Sequence, residues 1–164
     1  MGIQWNPGTE RRTMYITTLC YIIKDNKYLM LHRTKKEQDI NAGKYIGVGG
    51  HVENGESPTD CIKREVLEET GLTLNSVKTR GYITFVMGNE TEHTILFTSD
   101  DFEGELKKDC SEGELTWVDI DKVLDLNLWE GDVVFLKLLN ERKDFFSVKL
   151  VYDADDNLVS AVEE

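Results

Sequence analysis

Positive charge is in short supply in this chain: 19 lysines and arginines stand against 31 aspartates and glutamates, a net charge of −12. A binder of duplex nucleic acid needs a basic face to displace counterions, so the balance argues against that partner. A small nucleotide remains open as ligand, provided a metal ion screens its phosphates. Histidine is scarcer still, and His32, His51 and His93 show no mutual ligand spacing, which argues against a zinc site. The three cysteines, Cys20, Cys61 and Cys110, cannot all pair within one chain, and reduced thiols in a cytoplasmic protein are the expectation. No serine or cysteine sits in a recognisable nucleophile motif. Cys61 reads as a small packing residue.

Long hydrophobic runs are missing too. Arg11 and Arg12 precede the apolar run "MYITTLCYII", but that run is about ten residues against the roughly 20 that span a bilayer. It leads into Lys24, Asp25 and Asn26 rather than a small-residue cleavage site, and its β-branched and aromatic content reads as a strand. No membrane association is expected. The chain also lacks internal repeats, low-complexity stretches and linkers, so its 164 residues are expected to form one domain, 1–164.

What is present is a run of short strands with interspersed helices. "KDNK" at 24–27 carries a hairpin signature between "YITTLCYII" and "YLMLHR". "KYIGVGGHVE" reads as a short strand that breaks at Gly49 and Gly50. Residues 57 to 71 read as a helix, with Ser57 as N-cap, Pro58 at the first position, Asp60 as the capping-box acid and Gly71 as terminator. Strand-like runs follow at 73–87, 92–99 and 114–120, helices at 119–125 and 130–142, and closing strands in "FFSVKLVYD" and "NLVSAV". The fold class expected is α/β (α+β), a mixed β-sheet sandwiched between α-helices.

Chemistry concentrates in "GGHVENGESPTDCIKREVLEETGL", residues 49 to 72. On a helix Glu65, Glu68 and Glu69 project toward one side and repel, costing a few tenths of a kcal/mol per exposed pair. Either solvation on an outer face or a divalent cation offsets that cost. The surroundings favour the cation. Gly49 and Gly50 let the backbone turn and offer a carbonyl, Glu56 lies just before the helix, and Arg64 is placed to brace its neighbours. Hard oxygen donors of this kind suit Mg2+ or Mn2+, with phosphates completing the shell.

The stretch resembles the Nudix signature G-x5-E-x7-R-E-U-x-E-E-x-G-U, where U is bulky and aliphatic. Gly50, Glu56, Arg64, Glu65, Val66, Glu68, Glu69, Gly71 and Leu72 meet every constrained position. The resemblance implies a Nudix fold and hydrolysis of a nucleoside diphosphate linked to another group. Over most of the chain it is similar to the MutT-type nucleoside triphosphatases of that family, through "GKYIGVGGHVENGE", "SEGELTW" and "LWEGDVVFLKLL...FFSVKLVYD". This likeness implies that Glu112, five residues before a tryptophan, joins Glu65, Glu68, Glu69 and the Gly49 carbonyl as a metal ligand. The chain departs from that group at His51, where a lysine commonly follows the paired glycines. It departs again at Ile46, for an asparagine, and at Gly131-Asp132, for two adjacent aspartates.

A phosphoanhydride resists attack because its oxygens are negative, so catalysis must neutralise charge and aim a water in line. Glu65 is the favoured proton acceptor and Glu112 its rival. Arg64 either serves catalysis directly or orients Glu65 or Glu56. Arg33, ahead of the Lys35-Lys36 loop, either contacts phosphate or is a solvated arginine. Trp129 offers a face for a purine, and Asp132 either meets the base edge or caps a helix. Three activities follow. The first is Mg-dependent hydrolysis of (oxidised) purine nucleoside triphosphates such as 8-oxo-dGTP to the monophosphate and pyrophosphate, a step that cleanses the nucleotide pool and so assists DNA repair. The second is cleavage of ADP-ribose, a dinucleoside polyphosphate or another diphosphate conjugate. The third is a silent nucleotide-binding module, which the intact set of signature glutamates disfavours.

Overall fold

The hairpin at 24–27 is built as its sequence dictates. Strands β1 (Thr13–Lys24) and β2 (Lys27–His32) meet through Asp25 and Asn26, both left-handed at φ 51° and 59°. That conformation suits a two-residue turn whose twist matches the strands. The structure, a computed structural model, describes residues 13–35 and 39–164. Arg11, Arg12 and Lys36, singled out above, lie outside the described residues.

The remaining strands are β3 (Tyr45–Ile46), β4 (Val48–His51), β5 (Thr73–Leu74), β6 (Lys78–Met87), β7 (Glu90–Ser99), β8 (Phe102–Glu103), β9 (Glu114–Asp119), β10 (Phe146–Tyr152) and β11 (Leu158–Glu163). Nine of the described strands join in one sheet ordered β11-β10-β6-β7-β1-β2-β3, with β4 also on β1 and β9 also on β2. It is mixed as expected: β1 runs parallel to β7 and β10 parallel to β6, while the other pairs are antiparallel. Helix α1 (Pro58–Thr70) covers one face, and α2 (Glu130–Glu141) with a short 3-10 helix (Ile120–Asp125) covers the other. The pleat of β1 distributes the core accordingly. Cys20 and Ile22 pack with Ile62 and Val66 of α1, whereas Tyr21 packs with Phe135 and Leu136 of α2.

Helix α1 follows its capping signals. Ser57 and Asp60 form a reciprocal capping box, Pro58 opens the helix, and Gly71 ends it at φ 81°. Cys61, Ile62, Val66 and Thr70 make its buried stripe, each large aliphatic contributing about 1.5–3 kcal/mol by leaving water. Cys61 is fully buried, as a packing residue should be.

Three readings need correction. The expected strand does not break at Gly49-Gly50; β4 runs through both and pairs Gly49 with Leu19 and Gly50 with Thr18. The glycines serve close approach instead of turning: a Cβ would lie 1.9 Å from the Thr18 carbonyl oxygen at 49, and 2.5 Å from the Glu65 carboxyl at 50. The run 73–87 is divided into β5, which pairs with β8, and β6. The N-cap of α2 is Trp129 rather than Asp132, which lies inside the first turn with its side chain buried.

Candidate active site

The paired glycines of β4 and the acidic face of α1 meet at one end of a cavity of about 630 Å3. Arg64 organises that end without lining it. Its guanidinium donates to Glu56 at 2.6 and 2.9 Å, to Glu65 at 2.8 Å, to Glu68 at 3.3 Å and to the His51 carbonyl at 3.2 Å. The bond from Arg64, followed by the Glu53 backbone, pulls the Glu56 carboxyl down to about 2. The bond to Glu56, followed by the bond to Glu65, pushes the Arg64 guanidinium still further up. That geometry is the one the orienting reading of Arg64 requires: it binds the carboxylates of Glu56, Glu65 and Glu68 and does not border the cavity. Glu65, held by it, lies against Gly50 and lines the cavity.

Glu69, one turn on, is half-buried beside it, and its buried Oε2 has no hydrogen-bond partner among the described residues. Burial, followed by the charges of Glu112 and Glu65, raises its carboxyl to about 8. Glu112 reaches the same end from the loop before β9 and accepts from Arg33 at 2.6 Å, while Arg33 also donates to Asp39 at 2.5 Å. With 13% of its side chain exposed, Arg33 is not the solvated arginine of the second reading. Glu68 differs from its two neighbours. Its side chain is 60% exposed and does not line the cavity.

An orphaned buried carboxylate oxygen, flanked by two further carboxylates and a backbone strand of glycines, is a hard-oxygen donor set that suits a divalent cation. Among the described residues no three such side chains yet stand together at ligand spacing. Glu65 and Glu112 are each drawn to an arginine instead.

The other end of the cavity is aromatic and, unexpectedly, acidic. Trp129 lines it, with its Nε1 donating to Asn41 at 2.7 Å and the Lys44 ammonium 5.1 Å from its ring. Asp132 is buried there, and desolvation, followed by the charge of Glu92, raises its carboxyl to about 7. Glu92 accepts from Thr17 at 2.7 Å, and Thr17 in turn meets Thr94 at 2.7 Å. Ile46 and His51 also line the cavity, and the His51 and Tyr15 rings meet edge to face with centroids 5.4 Å apart.

Every expected site residue except Arg64 and Glu68 therefore borders one cavity. Sequence reasoning missed Glu92, Thr94 and Tyr152, which also border it. Glu92 and Thr94 were legible only as alternate residues of a strand, and Tyr152 only as the end of one. No local motif marks them.

Residues 14–139 match the model of the NUDIX domain. The chain is 33% identical over 135 residues to a protein of Danio rerio described as an oxidized purine nucleoside triphosphate hydrolase, covering 81% of this chain and 84% of that one. A protein of Mus musculus with the same description is 29% identical over 154 residues, covering 93% and 96%. Among solved structures, a MutT protein from Bacillus halodurans superposes with a TM-score of 0.82 at 26% identity, covering 92% of this chain and 97% of that one. Enzymes of the family typically use divalent metals and act on nucleotides. Among the described residues no helix is long and apolar enough to cross a membrane. The chain belongs to the Nudix family and is a Nudix hydrolase.

Proposed function

We propose that this pyrophosphohydrolase takes purine nucleoside triphosphates, oxidised ones such as 8-oxo-dGTP foremost, and releases the monophosphate and pyrophosphate. The observation that carries the reading is the shape of one cavity: carboxylates and Arg33 at one end, Trp129 and the buried Asp132 at the other. A base seated on Trp129 extends its phosphates toward Glu65, Glu69 and Glu112. The descriptions of the Danio rerio and Mus musculus relatives support the substrate class.

Glu65, Glu69 and Glu112, with the Gly49 carbonyl, would hold Mg2+ or Mn2+, and Glu68 would join from its outer position. Such an ion, when bound, neutralises phosphate charge and acidifies a coordinated water. The chain's own residues do the rest. Arg64 fixes the Glu65 carboxylate at its inner edge, where it accepts the proton of the attacking water. Arg33 steadies Glu112 and sets a positive charge beside the phosphates. Asp132 meets the base.

A substrate panel tests the reading. With Mg2+ present, 8-oxo-dGTP should be turned over with a higher kcat/KM than dGTP, and ADP-ribose and diadenosine polyphosphates should be poor substrates. Preferred cleavage of ADP-ribose would move the enzyme to the diphosphate conjugates.

A further inference from the structure

Tyr152 is buried at the end of β10, where the strand's register with β11 shifts between Val151 and Tyr152. The alternation of β10 turns Phe146, Val148, Leu150 and Tyr152 toward α2. Tyr152 is the last of these, and it alone among them borders the cavity. Its ring stands edge-on to Trp129, with centroids 6.0 Å apart. The hydroxyl oxygen accepts from the Gly131 N–H at 2.7 Å, satisfying one of the open donors in the first turn of α2. A Cβ at position 131 would stand 2.4 Å from that oxygen, so the tyrosine hydroxyl and a side chain at 131 are mutually exclusive. Glycine at 131 and tyrosine at 152 form a matched pair.

A phenol has one proton to give. Its oxygen is engaged as an acceptor, and among the described residues no acceptor takes that proton. Burial raises the phenol to about 12, with the charge of Asp132 adding to it and the Gly131 bond opposing, so the group keeps its proton at neutral pH. Asp132, one residue beyond Gly131, borders the same cavity.

We propose that Tyr152 is a specificity-determining residue whose hydroxyl donates to a ring carbonyl of the base. Asp132 takes the ring N–H beside that carbonyl. A lactam edge, carbonyl next to N–H, satisfies both groups. An amidine edge, amino group next to a bare ring nitrogen, sets a donor against the phenol proton and is disfavoured. This rests on the nucleoside triphosphate reading and specifies the chemistry of the base within it.

The test compares 2′-deoxyinosine and 2′-deoxyadenosine triphosphates, which differ only at C6 and N1, and the 8-oxo derivative of each, in wild type, Tyr152→Phe and Gly131→Ala. Wild type should favour the inosine compound of the unoxidised pair, or each 8-oxo derivative over its parent, whichever carries the lactam that is read. Tyr152→Phe should lower the kcat/KM of the favoured compound by about ten-fold or more while leaving its counterpart within about three-fold, the size expected for an unmet polar group. Gly131→Ala, which displaces the hydroxyl, should reproduce the collapse of the ratio. A loss shared by both 8-oxo derivatives, each of which carries a lactam at C8 and N7, assigns the carbonyl to C8, and a loss confined to the inosine compounds assigns it to C6. A ratio in Tyr152→Phe equal to that of wild type, with only the melting temperature lowered, would reduce the hydroxyl to a partner for the Gly131 N–H and overturn the inference. No turnover of any triphosphate would overturn the reading of function instead. Calorimetric binding of the four monophosphates then decides the inference alone: lactam binding weakened about ten-fold in Tyr152→Phe upholds it, and equal binding overturns it.

Discussion

The Glu65 carboxyl occupies the space that a side chain at position 50 would need, since a Cβ on Gly50 would come within 2.5 Å of it. The glycine of strand β4 and the glutamate of helix α1 are therefore one device. The strand gives up a side chain so that a carboxylate can lie on its backbone.

Gly50→Ala should accordingly displace Glu65 more than it unsettles the fold. Overpacking of this kind costs about 1–3 kcal/mol. We expect kcat to fall by about ten-fold or more in a protein that still melts cooperatively, because a small misplacement of a catalytic group is costly. Steady-state kinetics with a parallel melting curve checks this, and unchanged kcat would mean that Glu65 tolerates displacement.

Arg64→Lys replaces a planar fork that reaches Glu56, Glu65 and Glu68 with a point charge that cannot hold all three. Because Arg64 does not line the cavity, kcat should fall by about ten-fold or more while KM moves by less than about three-fold. A rise in KM alone would make Arg64 a substrate contact.

Glu65 and Glu112 are separable by amide substitution. If Glu65 takes the proton, Glu65→Gln should lower kcat by a further order of magnitude or so relative to Glu112→Gln, with similar melting temperatures. The reverse order in kcat would hand the role to Glu112.

The helix signature was legible because an α-helix converts fixed spacing into a fixed face. From sequence the capping box, the terminating Gly71 and the cluster around Glu65 follow with no tertiary information. Sequence left Asp132 open between a base contact and an N-cap because aspartate favours N-caps, whereas α2 starts at Glu130 and buries the carboxylate inside its first turn. Gly49 and Gly50 suggested a turn because glycine's freedom is visible in sequence and close packing is not. Glu92 and Tyr152 reach the cavity through the registers of β7 on β1 and β10 on β6, between segments far apart in the chain. Such pairings leave no local spacing to read.

Asp132 should make stability depend on pH. Its carboxyl rises from 3.8 unfolded to about 7 folded, so its contribution is full below 3.8 and is lost as pH rises through 7. Asn at this position mimics the protonated acid at every pH. Asp132→Asn should therefore match wild type near pH 4 and exceed it at pH 8, by on the order of 4 kcal/mol at most. Denaturant unfolding at the two pH values measures the difference, and parallel profiles would contradict it.

Magnesium should raise the melting temperature, because an ion that binds only the folded carboxylates stabilises by mass action. Glu69 adds a sign. With its carboxyl raised to about 8, a cation must displace a proton at pH 6, so the shift should be smaller there than at pH 8.5. Removal of the metal by chelator should return both curves to their starting points. A magnesium shift that is larger at pH 6 would contradict the assignment of Glu69 as a ligand.

The central claim is that a triphosphate enters the cavity with its base on Trp129 and is cut to the monophosphate. Phosphorus NMR of the 8-oxo-dGTP reaction in magnesium tests it most directly. Monophosphate and pyrophosphate should appear in equal amounts, with no orthophosphate. Orthophosphate with the nucleoside diphosphate, or an intact triphosphate under conditions where ADP-ribose is split, would contradict it.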